Sequence, residues 1–424
     1  MSHTETRSIP GRACSTLAFA DKLLFCAAAL VAAALKLYCA ATTYGSPDVT
    51  IFCRFGAIIN QFGLSQLYRI DSSFNHTPFT GHFVASMLTL ASQLTPAGPH
   101  IVPRSFPFLL RLPSIVADVL ALVFLIKIRT ATGRPPKWSI VLFALSPVAF
   151  MVSGYHGNVD SIMVCLLVIA AYFCVNERPL WSASFLAAAC SIKIVPLLLV
   201  PAFVAFWCGR NRSAALKFAV AFAVACLAVW SEALINSPRY FVANVLGYSS
   251  FPGGWGITYL AAVVARKFGA QSDPAFLESL LASVSALKLA TVCCVVALAW
   301  CRRNATAPDF LNTLAYCFIS FAVLAPGFIP YYLVWFAPFV LLASPRWYVV
   351  VTAASGIYLF AYYTIMNHGL PWNVSDATVR PSWSIWGTIP WAVLVGFGVS
   401  TLWAWRTRLM RRLEPAVGLE PTTC

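Results

Sequence analysis

Long, nearly unbroken apolar runs dominate the chain, and short polar stretches punctuate them. A helix that crosses a bilayer needs about 20 mostly apolar residues. On that measure the pattern predicts spans at 23–42, 109–128, 138–153, 159–176, 180–192 and 194–208. Further spans are predicted at 214–235, 279–301, 309–325, 331–343, 347–366 and 387–405. The expected fold is an all-α polytopic membrane protein of about twelve transmembrane helices, within about 10–13. The runs 180–192 and 194–208 read either as one long tilted helix or as two short ones meeting at a break near Lys193 and Pro196. The first apolar run is too long for a signal peptide, and no small-residue cleavage site follows it. Residues 44–108 form one long connection. Within it, 79–94 is too short to span and reads as an interfacial or re-entrant helix.

Composition narrows the class. Of 424 residues, 60% are hydrophobic and 10% charged, with 14 Trp, 31 Phe and a mean hydropathy of +0.77. Soluble chains carry about 25% charge. A cytosolic enzyme, a disordered scaffold and a small secreted disulfide domain are thereby excluded. The 14 Cys sit mostly in apolar runs, with no CxxC or Cys/His spacing, so neither a disulfide nor a zinc site is expected.

The net charge of +15 invites a nucleic-acid reading. Sorting the basic residues by span removes it. With a cytoplasmic N-terminus bearing Arg7, Arg12 and Lys22, alternation places 127–137, 177–179, 209–212, 301–303, 345–346 and 406–412 on the same side. Nearly every basic loop is then cytoplasmic, as the positive-inside rule requires. The domain plan is a cytoplasmic N-terminus (1–22), one transmembrane domain (23–405, first outer loop 44–108) and a basic cytoplasmic tail (406–424). The terminal EPAVGLEPTTC is set aside. No internal repeat is visible, which weakens a twelve-span transporter.

Polar residues are scarce enough to be weighed singly. Asp48 stands just past the first span and reads either as a helix N-cap or as a site acid, and Asp71 reads as a cap. Ser153, Gly154, His156, Gly157, Asn158, Asp160 and Ser161 cluster where two spans meet, suiting either capping or a cavity. Lys193 lies between two apolar half-spans and reads as a snorkelling or a functional cation. Tyr331, Tyr332 and Trp335 follow the breakers Pro326, Gly327 and Pro330, as an interfacial belt or a groove lining. Asp118, inside the second span, is expected to have either a tertiary partner or a site role. Asn75-His76-Thr77 and Asn373-Val374-Ser375 match a glycosylation tripeptide that is frequent by chance.

Two segments, LSPVAFMVSGYHGNVDSIMVCLLVIAAYF and RPLWSASFLAAACSIKIVPLLLVPAF, together resemble the core of the GT-C fold glycosyltransferases that use lipid-phosphate sugars. The likeness is to the catalytic subunit of the first glycosylphosphatidylinositol mannosyltransferase and to dolichyl-phosphate-glucose-dependent glucosyltransferases. PGFIPYYLVWFAP resembles the late segment of bacterial polyprenyl-phosphate-mannose-dependent mannosyltransferases. The resemblance implies a catalytic acid in the first outer loop, carried onto Asp48. Eukaryotic members often pair that acid with a second one. Here Asp48 stands alone, which disfavours metal chelation and favours a single base.

The implied function is transfer of a hexose, mannose foremost, from a polyprenyl-phosphate donor to an acceptor hydroxyl, with inversion, at the outer face. Asp48 is the expected general base. Lys193, Arg54 and Arg239 are expected donor-phosphate ligands, with Arg69, Arg104 and Arg111 as further outer cations. His156, Asn158, Asp160, Tyr331, Tyr332 and Trp335 are expected to bind substrate. No cofactor is required, although a divalent metal stays open. The expected partners are the lipid-linked donor, a glycolipid, glycan or protein acceptor, and membrane lipids, with no nucleic acid. A bacterial plasma membrane is favoured over endoplasmic reticulum. The alternatives are a transporter or lipid-linked sugar flippase, and a non-catalytic subunit of a glycosylation complex.

Overall fold

The computed structural model describes residues 18–95, 102–248, 250, 254–269, 274–367, 369–372 and 385–413. Its elements are helices. The first is α1 (Phe19–Thr42), followed by α2 (Pro47–Phe62), α3 (Leu64–Ile70), α4 (Pro78–Leu94) and α5 (Phe106–Thr132). Next come α6 (Lys137–Ala144), α7 (Pro147–Ala149) and a π-helical segment, Phe150–His156, which continue one another before α8 (Asp160–Val175) and α9 (Pro179–Cys190). A 3-10 turn (Val195–Leu199) leads into α10 (Val200–Arg210). The chain then forms α11 (Arg212–Asn236), α12 (Pro238–Phe241), a π-helical turn (Val242–Leu246), α13 (Gly256–Lys267), α14 (Pro274–Cys301) and α15 (Ala307–Leu324). A 3-10 turn (Pro330–Val334), α16 (Ala337–Ala343), α17 (Pro345–Met366) and α18 (Thr388–Leu413) complete it.

Among the described residues, 8 helical stretches are long and apolar enough to cross a membrane. Four shorter apolar stretches, Asp160–Val175, Pro179–Cys190, Val195–Arg210 and Pro330–Ala343, lie between them. The molecule is an all-α polytopic membrane protein. Its outward face is apolar: Leu30, Leu216, Leu289, Ile357 and Trp403 are all exposed. In water that surface is unfavourable, whereas lipid accepts it.

The short stretches decide where a site forms. At 1.5 Å per residue, a twelve-residue helix such as α9 covers only about 18 Å of a hydrocarbon layer of about 30 Å. The α9–α10 pair is two short helices meeting at residues 191–194, not one long helix. Pro196 and Pro201 open successive helical pieces there, where their missing N–H groups cost least. The main apolar core includes Ala189, Ile192 and Leu199, on both sides of this break. A second apolar cluster joins α2, α3 and α4 to the ends of α9 and α11 through Phe55, Leu67, Tyr68, Phe74, Ala187 and Trp230.

Candidate active site

The site is built where α1 ends, α2 begins and the π-helical segment stops. Ser46 caps α2, accepting from the Asp48 backbone N–H at 3.3 Å. Asp48 is therefore not the N-cap: it stands in the first turn with its carboxylate free of capping. The Ser46 backbone N–H and hydroxyl both donate to the His156 carbonyl, at 3.2 and 2.8 Å. His156 Nε2 meets Asp48 Oδ2 at 3.1 Å. Gly45 and Gly157 make this crossing possible, because both adopt positive φ (100° and 85°). A Cβ on Gly157 would sit 2.7 Å from Val49 Cγ2.

Arg111 locks the same crossing from below and is wholly buried. Its guanidinium donates to the carbonyls of Ala40, Thr43, Gly154 and Tyr155 at 2.6–3.2 Å, and to the Thr43 hydroxyl at 2.8 Å. It is a structural clamp with no donor left over for phosphate, which corrects its expectation as a free outer cation. Asp118 finds its partner in Lys36 at 2.5 Å, and Ser153 also donates to it at 2.5 Å. This buried pair ties α1 and α5 to the segment that ends in His156.

Burial pushes the Asp48 carboxyl up, but the charge and hydrogen bond of His156 outweigh it, helped by Lys193 and a Tyr331 hydroxyl bond. The result lies below the ordinary carboxylate value even though a quarter of the side chain stays accessible. The His156 ring lies against Tyr331 with centroids 4.1 Å apart. Its Nδ1 is buried without a hydrogen-bond partner.

Lys193 emerges from the α9–α10 break. The FNHTPF segment and the first turn of α4 hold that break in place: Thr77 donates to the Ser191 carbonyl and Thr80 to the Ile192 carbonyl. Lys193 Nζ lies 2.6 Å from Asp160 Oδ1 and 4.6–5.4 Å from the ring centres of Tyr331, Tyr332 and Trp335. The contact with Asp160 is an ion pair by distance without hydrogen-bond alignment, and both Asp160 oxygens are buried without a hydrogen bond. All three aromatic residues are buried, so they do not form an exposed interfacial belt; Tyr332 and Trp335 line the cavity beside Lys193, whereas Tyr331 does not. Asn158 acts locally, because its side-chain oxygen accepts from the Asp160 N–H at 2.8 Å and orients the start of α8.

A cavity of about 380 Å³ opens beside Lys193. Its walls are mainly apolar, including Leu197, Leu198, Val292, Val295 and Phe321. Asn75, Tyr248 and Lys288 supply further polar groups. Asn75 thus faces the cavity instead of standing free as a glycan attachment point, and Asn373 lies outside the described residues. Arg54 and Arg239 do not line the cavity. Arg54 pairs with Asp71 at 2.8 Å, and Arg239 is exposed on α12. Asp71 closes α3 and takes the Ser73 N–H at 3.0 Å, a turn role at a helix end and not the expected N-terminal cap.

Sequence reasoning did not single out Lys36, His76, Tyr248 or Lys288. His76 is buried between the rings of Phe52 and Phe74. Burial, and then the charge of Lys193, push it down to about 3, against Asp48 and an Ile192 backbone bond. The only signal for it in the chain is the polar FNHTPF segment itself.

Around Asp48 the donor set is one carboxylate, an imidazole already bonded to it and a phenol. Among the described residues no three His, Cys, Asp or Glu side chains converge as a metal site would need. No curated protein matches the chain. The family model of glycosyltransferase family 87 matches residues 96–326, which include His156, Asp160 and Lys193 but not Asp48. With more than half of its length matched, the chain belongs to glycosyltransferase family 87 and is a multi-pass membrane glycosyltransferase, acting between a sugar donor and an acceptor.

Proposed function

We propose that the protein transfers a hexose, mannose foremost, from a polyprenyl-phosphate donor to an acceptor hydroxyl at the outer face of a bacterial plasma membrane. One observation carries this reading: Lys193 stands in the wall of an apolar cavity, and Tyr331 bridges from that lysine to the Asp48–His156 pair, which does not itself line the cavity. A lipid-linked sugar phosphate has the matching layout, with an apolar tail, an anionic joint and a reacting carbon beside it. Asp48 takes the proton of the acceptor hydroxyl as its oxygen bonds to the anomeric carbon. The bond from that carbon to the phosphate oxygen breaks, and the electron pair leaves on the polyprenyl phosphate. Attack opposite the leaving group inverts the anomeric centre. His156 and Tyr331 orient the Asp48 carboxylate, while Lys193, set by Asp160, holds the phosphate. A glycolipid, glycan or protein serves as acceptor.

The test is transfer by the purified protein in liposomes from a panel of polyprenyl-phosphate sugars to hydroxylated acceptors, with product configuration read by NMR. An inverted product is expected. A retained configuration, or no transfer from any such donor by folded protein, contradicts the reading.

A further inference from the structure

The cavity contains two lysines, and they differ in how their charge is met. Lys193 has Asp160 2.6 Å away, so that pair brings no net charge to an incoming anion. Lys288 is the other, from α14. It lies within the apolar stretch Ala282–Cys301, where a lysine is costly and marks a substrate or ion path more often than a packing role. Its ammonium donates to the Gly247 carbonyl at 3.0 Å, just past the π-helical turn Val242–Leu246. That oxygen is neutral. None of the ion pairs formed among the described residues includes Lys288.

An anion entering a mainly apolar cavity needs a compensating charge more than it needs another neutral pair. We infer that Lys288 is a second ligand of the donor phosphate and supplies its counter-charge, while the Lys193–Asp160 pair orients it. The inference rests on the lipid-phosphate reading proposed above and adds a residue to it. Its chemistry is that of the leaving group. When the carbon–oxygen bond breaks, the phosphate gains a second negative charge, and a cation already placed beside it stabilises the transition state. The alternative role for Lys288 is structural, a side-chain cap on the carbonyl that follows a helical turn.

Binding of farnesyl phosphate and of farnesol to the purified full-length protein separates the two roles. K288Q keeps a side-chain N–H donor on a slightly shorter side chain but carries no charge, and K288R keeps the charge. We expect K288Q to melt like the wild type, to bind farnesyl phosphate at least tenfold more weakly and to bind farnesol unchanged, with K288R close to wild type. Undiminished farnesyl phosphate binding by K288Q, or equal weakening toward farnesol, overturns the inference while leaving the donor reading intact. If the wild type itself binds farnesyl phosphate no better than farnesol, the donor reading fails and the inference falls with it. Should K288Q melt early, K288R binding at least tenfold more weakly than the wild type overturns the inference, and full K288R binding supports it.

Discussion

Because Ser46 performs the capping of α2, the carboxylate of Asp48 is left to face His156 and Tyr331. Its depressed pKa means that it stays ionised, and able to accept a proton, down to pH values below the usual carboxylate range. Removing His156 leaves burial acting with less opposition and raises that pKa. His156→Gln therefore moves the acidic limb of the kcat/KM profile to higher pH, and an unmoved limb would show that the imidazole does not set the base. His76 makes a different prediction. It binds no proton in the folded state until about 3, whereas its unfolded value is 6.5. The unfolded chain takes up the proton first, so this group favours the fold fully above 6.5 and progressively less as the pH falls toward 3. The loss is at most about 1.4 kcal/mol per pH unit. Melting temperature should fall less steeply with acidification in His76→Asn than in the wild type; parallel slopes would refute this.

The elements around the site are held by polar contacts that do little for stability yet fix position. Replacing a buried ion pair by apolar residues of similar volume is often neutral, whereas removing one partner costs about 3–5 kcal/mol. Asp118→Leu should accordingly lower the melting temperature sharply, and the double variant Lys36→Met/Asp118→Leu should recover most of it. Transfer by the recovered double variant should still fall, because Ser153 keeps only the Ala149 carbonyl of its own segment and the segment ending in His156 loses its tether to α5. Wild-type transfer by that double variant would mean that the pair is a packing feature only. The break at 191–194 obeys the same logic, since Thr77 and Thr80 satisfy carbonyls that no helix covers.

At the scale of the molecule, the apolar runs and the short helices are readable from the chain because apolar patterning and prolines act locally, whereas the α9–α10 break is only one of two readings that the run 180–208 allows. Asp48, His156, Asp160, Lys193 and the late aromatic residues are visible for a related reason: polar groups are so few that each one inside an apolar context is conspicuous. Arg111 and Lys36 are not, because a basic residue near a span end looks the same whether it snorkels or clamps a distant part of the chain. Their partners, the carbonyls of Ala40 and Gly154 and the carboxylate of Asp118, are joined to them only by tertiary packing. The same limit hid Lys288, whose cavity is assembled from several separate elements.

Asp48 is proposed to remove the acceptor proton in a sugar transfer from a lipid phosphate. The most direct measurement compares wild type with Asp48→Asn, a change that keeps size and hydrogen bonding but removes the base. Both proteins are assayed for transfer from a labelled polyprenyl-phosphate sugar and for farnesyl phosphate binding. A loss of at least about a hundredfold in transfer is expected, with binding and melting temperature preserved. Transfer by Asp48→Asn at the wild-type rate would contradict it.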